Sequence, residues 1–126
     1  MKKIIYTQDA PNPVGPYSQA ILAGNTLYLS GQIPIDPKTS ELIKGSLEDE
    51  THQVFANLKA VLAAAEMTLE NVVKCSVFLS SMEDFARINA VYSTYFDEST
   101  APARETVEVA NLPKYVNVEI SAIAIK

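Results

Sequence analysis

The stretch VNVEISAIAIK, Val116 to Lys126, decides the fold. Strand alternation sets Val118, Ile120, Ala122 and Ala124 on one face and Glu119, Ser121, Ile123 and Ile125 on the other. Both faces are mostly apolar, so both need cover. Helices packed on one side of a sheet supply it for one face only. A partner subunit is the simplest cover for the second. Glu119 interrupts that second face, and a carboxylate there must be paired, hydrogen-bonded or protonated. A structural ion pair is the commoner fate of such a residue.

Upstream, RETVEVA from Arg104 reads as another strand, joined to the last by the turn-like NLPKY. Alternation groups Arg104, Thr106 and Glu108 on one side and Glu105, Val107 and Val109 on the other. Pro102 ends a helix whose apolar stripe is Phe85, Ile88, Tyr92, Tyr95 and Phe96. Ser81 with Asp84 resembles a capping box at its start. VVKCSVFLS is a strand, and before it Val54, Leu58, Val61, Leu62 and Ala65 repeat at helical spacing. Ser46 is the predicted N-cap of that first helix, which should stop near Glu66-Met67. DPKTSELIKG reads as a surface loop. YSQAIL and TLYLSGQIPI flank a Gly24-Asn25 turn as a hairpin, with Gly31 marking a bulge or a close backbone approach. KKIIYT is a short opening strand. The pattern is α+β, one domain over residues 1–126, with both helices on one face of a mixed sheet.

The 126 residues carry a net charge of −5 and no basic cluster beyond Lys2-Lys3, which argues against a nucleic-acid partner. A 48% apolar content supports a core. The chain has no apolar run of membrane-spanning length and no signal-peptide pattern, and the single cysteine excludes an internal disulfide, so a cytoplasmic setting is expected. His52, the only histidine, falls on the polar side of the first helix. It offers neither a zinc set nor a Ser–His–Asp triad. Cys75 lies in an apolar strand as an inert core thiol.

The polar residues at odds with their surroundings carry the functional signal. Asn89 lies on the apolar stripe of the second helix, as a satisfied core amide or as the support of a site. Arg104 is one of only two arginines. Its planar fork suits a carboxylate, either that of Glu119 or one on a ligand. Tyr17, beside VGP, and Ser30, before Gly31, complete the set.

VGPYSQA, LYLSGQIPIDPKTSEL, VFLSSMEDFARINAVYSTYF and PARETVEVANLPKYVNVEISAIAI together resemble the RidA (YjgF) family of imine and enamine deaminases, over nearly the whole chain. The resemblance implies a chorismate-mutase-like fold with a mostly antiparallel six-stranded sheet. It also implies a homotrimeric barrel with clefts between subunits. It implies hydrolysis of 2-imino acids to 2-keto acids and ammonia, with no metal or organic cofactor. Arg104 would hold the substrate carboxylate and Glu119 would activate water. Tyr17, Ser30 and Gly31 would line the cleft from one subunit. Asn89, Arg104, Thr106 and Glu119 would come from its neighbour, with Thr106 acting through its backbone. Glu105 and Thr106 depart from the family pattern, which favours a small or apolar residue and then cysteine. Alternation points Glu105 away from Arg104. The same anchor would serve a non-catalytic trimeric sensor of 2-keto acids. An endoribonuclease or translation inhibitor fits poorly with the negative charge.

Overall fold

The computed structural model describes residues 1–126. Its strands are β1 (Lys2–Ile5), β2 (Ala20–Ala23), β3 (Thr26–Gln32), β4 (Ile35–Asp36), β5 (Glu41–Leu42), β6 (Val72–Leu79), β7 (Ala103–Glu108) and β8 (Val118–Ile125). The helices are α1 (Leu47–Ala64) and α2 (Phe85–Tyr92). Six strands form one sheet in the order β1-β2-β3-β8-β6-β7, all antiparallel except the β6–β7 pair. β8 lies centrally, and α2 supplies the crossover that parallel pairing requires.

The sheet is open. It begins at β1 and ends at β7, and those two edges do not pair, so no barrel closes. The expected homotrimeric barrel is therefore corrected to an open six-stranded sheet with helices on one face.

α1 forms where the apolar period predicts. The Ser46 side chain accepts from Asp49 N–H and the Asp49 carboxylate accepts from Ser46 N–H, a reciprocal box that satisfies two end donors. Phe55, Leu58, Val61 and Leu62 are then buried against Leu27, Leu29, Val77, Leu79, Val118 and Ile120 of the sheet. Each such side chain contributes about 1.5–3 kcal/mol of transfer free energy. The opposite face of β8 is open: Glu119, Ser121 and Ile123 are half-buried and Ile125 is exposed.

Three local expectations change. The segment read as a loop holds the β4–β5 hairpin, turned by Pro37 and by Asp36, whose carboxylate accepts from Lys38 N–H. α2 begins after a 3₁₀ turn over Met82–Asp84. Ser81 caps that turn through Glu83 N–H, and Asp84 makes no cap bond. α2 also stops at Tyr92, because the Ser93 and Thr94 hydroxyls donate to the Asn89 and Val91 carbonyls and favour a tighter chain path. Tyr95 and Phe96 remain packed on the core beyond the helix, Tyr95 stacking on Phe55 with ring centroids 4.2 Å apart.

Two amides are fully enclosed. Asn57 of α1 donates to the Ile33 and Ile35 carbonyls at 3.1 and 3.0 Å and accepts from Gln53. Gln19 accepts from Thr7 N–H and donates to the Thr7, Ala10 and Pro11 carbonyls. Asn57 ties the chain around β4 to α1, and Gln19, just before β2, ties down the irregular segment from Thr7 to Pro11. Asn57→Ala removes the side-chain donors to the Ile33 and Ile35 carbonyls and the acceptor of Gln53, and is expected to lower unfolding free energy by about 1–3 kcal/mol in urea denaturation.

Candidate active site

Arg104 stands second on edge strand β7, opposite Cys75 of β6 in the parallel register. Its side chain therefore shares the helix-covered face with Cys75 and Val77. There it meets α2, whose Phe85, Asn89 and Tyr92 recur at i, i+4 and i+7 on one side of the helix. Arg104 Nη1 donates to Asn89 Oδ1 at 2.7 Å. The guanidinium carbon lies 4.7 Å from the Tyr92 ring centroid and 5.6 Å from that of Phe85. Of the two arginines, Arg87 makes a two-pronged ion pair with Glu48, whereas Arg104 has no carboxylate partner. A 620 Å³ cavity opens over it, lined also by Phe96, Ala101 and Pro102 and bordered by Asp97 and Glu98.

Thr106 shares this face, and its hydroxyl is buried without a partner. Val109 N–H donates to Leu79 O, which fixes the phase of the parallel pairing. The Thr106 N–H and C=O accordingly face the open edge of β7. Glu105 points to the opposite face, as alternation predicts. It pairs with Lys74 at 2.8 Å and accepts from the Ser76 hydroxyl. The Lys74 bond first, and then that of Ser76, hold its carboxyl below the ordinary range, and its place on the opposite face keeps it from Arg104.

Glu119 lies elsewhere. It is opposite Phe78, while Ile120 is opposite Val77, so it sits on the face away from the helices. Its carboxylate packs over Gly31 at the bulge between Leu29 and Gln32, where any Cβ would overlap it. Tyr17, Ser30, Gly31 and Glu119 line one 430 Å³ cavity, which shares no residue with the cavity at Arg104. The Ser30 hydroxyl donates to Ser18 O at 2.5 Å, and the Tyr17 hydroxyl accepts from Val14 N–H at 3.2 Å. Burial pushes the Glu119 carboxyl above its ordinary value.

The expected grouping is thus changed. Glu119 joins Tyr17, Ser30 and Gly31, while Asn89, Arg104 and Thr106 form a second set across the sheet. An Arg104–Glu119 ion pair within the chain is ruled out by the register. Sequence reasoning missed Lys114, which lines the Glu119 cavity from a turn where Lys114 and Tyr115 have φ of 54° and 55°. The Leu-Pro-Lys-Tyr turn signal was its only trace. It also missed the two rings at Arg104, although their helical spacing was visible. His52 Nδ1 contacts the Tyr95 hydroxyl at 2.6 Å and takes no place in either cavity. No helix is long and apolar enough to cross a membrane.

A model of the endoribonuclease L-PSP family matches residues 7–126. A RutC family protein of Pyrococcus horikoshii is 57% identical over 126 residues, covering 100% of this chain and 99% of that one. A 2-iminobutanoate/2-iminopropanoate deaminase of Dermatophagoides farinae is 48% identical, covering 98% of this chain and 96% of its own length. The crystal structure of E. coli TdcF with bound serine superposes with a TM-score of 0.92 at 43% identity, over 98% of each chain.

Two outcomes follow from the Glu119 cavity. Between the ordinary carboxyl value of 4.5 and the raised native one, the folded state binds more protons than the unfolded, so stability falls as pH rises. Glu119→Gln removes that cost. Its melting temperature should exceed that of the wild type at pH 8, and the difference should vanish below about pH 4.5. Gly31→Ala should fold but swing the Glu119 carboxylate aside, which a crystal structure of the variant would show.

Proposed function

The chain belongs to the RidA (YjgF) family, the family of the endoribonuclease L-PSP model, and from that premise we propose that it hydrolyses reactive 2-imino acids to 2-keto acids and ammonia without a cofactor. The observation that carries the reading is Arg104: a guanidinium without an ion partner, fixed by an amide and two rings at the wall of a cavity. Such a group is a ready receptor for a small carboxylate.

In this reading the substrate carboxylate lies on the free edge of the Arg104 fork. The Thr106 N–H at the open strand edge is a second donor. Tyr17, Ser30 and Gly31 line the opposite wall. Glu119 removes a proton from a water molecule as its oxygen attacks the imine carbon. The C=N bond becomes a C–N single bond in a tetrahedral carbinolamine, and the nitrogen takes up a proton. Collapse to C=O expels ammonia, and the protons balance with one water consumed. A carboxylate whose pKa is raised by burial is a stronger base for that step, and a well-placed base contributes about 10²–10⁴-fold.

The two halves lie on opposite faces of one sheet, so the reading requires a second copy. We place Arg104, Asn89 and Thr106 of one subunit against Tyr17, Ser30, Gly31 and Glu119 of the next, in a cytoplasmic homotrimer. The half-exposed apolar residues Ile123 and Ile125 on the uncovered face support such an association.

Imines generated by an amino-acid oxidase provide the assay. Arg104→Ala should abolish the acceleration while leaving the oligomer intact, and full activity in that variant would remove Arg104 from the mechanism. Arg104→Ala and Glu119→Gln, each inactive alone, should recover about a quarter of wild-type activity after co-refolding, the share of sites that draw both intact halves at random. Continued inactivity of the mixed oligomers would place both residues of a site in one chain.

A further inference from the structure

We propose that Tyr92 is a positioning residue of the carboxylate site, its ring holding the Arg104 guanidinium in the orientation that receives the substrate. The inference rests on the reading of Arg104 as the carboxylate anchor. Arg104 is otherwise exposed, at an edge strand, on a side chain with several rotatable bonds. Left to solvent it would sample many orientations. Asn89 fixes one nitrogen and leaves rotation about that contact. The Tyr92 face at 4.7 Å and the Phe85 ring at 5.6 Å restrict the plane of the fork. An aromatic face attracts a guanidinium through its quadrupole without competing for its N–H donors, so they remain available to a ligand.

Two observations single out the Tyr92 ring. Tyr92 is itself buried, edge-to-face with Phe55 and tilted against Phe96, so its plane is set by the core rather than by the ligand. Its hydroxyl is buried beside the Cys75 thiol without a hydrogen-bond partner of good geometry. The hydroxyl thus makes no hydrogen bond to Arg104. The ring face does the positioning.

The test separates ring from hydroxyl and uses two readouts. In imine hydrolysis, Tyr92→Leu should raise KM about 5- to 20-fold with kcat changed less than about twofold, and Tyr92→Phe should restore KM to within about twofold of wild type. In the free protein, the Arg104 Nε–Hε NMR signal, assigned by its loss in Arg104→Lys, should be ring-shifted in wild type and Tyr92→Phe and return toward the exposed-arginine position in Tyr92→Leu. Should Tyr92→Leu fail to fold, Tyr92→Met carries the same expectations. An unchanged KM and signal in the ringless variant, equal losses in Tyr92→Phe, or no ring shift in wild type each overturn the proposal. A wild type that does not hydrolyse imines overturns the reading of function alone, and the NMR signal still decides the role of the ring.

Discussion

The register of β8 against β6, and of β6 against β7, is the constraint on which the molecule depends. Ile120 and Thr106 both lie beside Val77, and Ala122 and Arg104 both lie beside Cys75. A slip of one residue in either ladder would invert every side chain of the slipped strand. A slip of β8 would expose Val118, Ile120, Ala122 and Ala124 and drive Glu119 beneath α1, a cost no single polar contact could offset. The hydrophobic pattern thus fixes the pairing, and the pairing fixes where chemistry is possible. Arg104 reaches α2 because Thr106 and Cys75 face that way. Glu105 is turned to Lys74 for the same reason.

Much of this was legible in alternation and spacing. The Ser46 cap of α1, the irregularity at Gly31 and the outward aim of Glu105 are local properties, set by a few neighbouring residues. What remained hidden depends on pairing across the sheet. Alternation along β8 alone gives the two faces of that strand but not which face matches Arg104, so it does not show that Glu119 shares a cavity with Tyr17, Ser30 and Gly31. The β4–β5 hairpin escaped because two-residue strands have no period to read. The end of α2 escaped because Ser93 and Thr94 act through hydrogen bonds to carbonyls, and an apolar stripe running on to Phe96 masks that competition.

The enclosed amides show a related division. Asn89 stood out in sequence because it interrupts an apolar stripe, yet it is only half-buried and spends its carbonyl oxygen on Arg104. Asn57 and Gln19 are the amides sealed in the interior, and neither was conspicuous. Their bonds run to backbone carbonyls of Thr7, Ala10, Pro11 and Ile33, which lie outside any strand, and of Ile35 in the two-residue strand β4. Pro11, Ile33 and Ile35 also line the Glu119 cavity. Side-chain amides therefore supplement secondary structure in shaping that wall, and hold its loop carbonyls in place.

The separation of Arg104 from Glu119 bears directly on the proposed chemistry. Were the two on one face, the guanidinium would pair with the carboxylate, depress its pKa and occupy the fork meant for the substrate. Placing them on opposite faces keeps them apart within one chain: one is held by rings and an amide, the other is raised by burial, over Gly31. In the proposed assembly each meets its counterpart only across a subunit boundary, with the substrate between them. The substrate carboxylate then takes the place that Glu119 would have filled, and Glu119 keeps the basicity that burial gives it. A sheet with two chemically distinct faces thus solves by geometry a problem that charge alone would decide the other way.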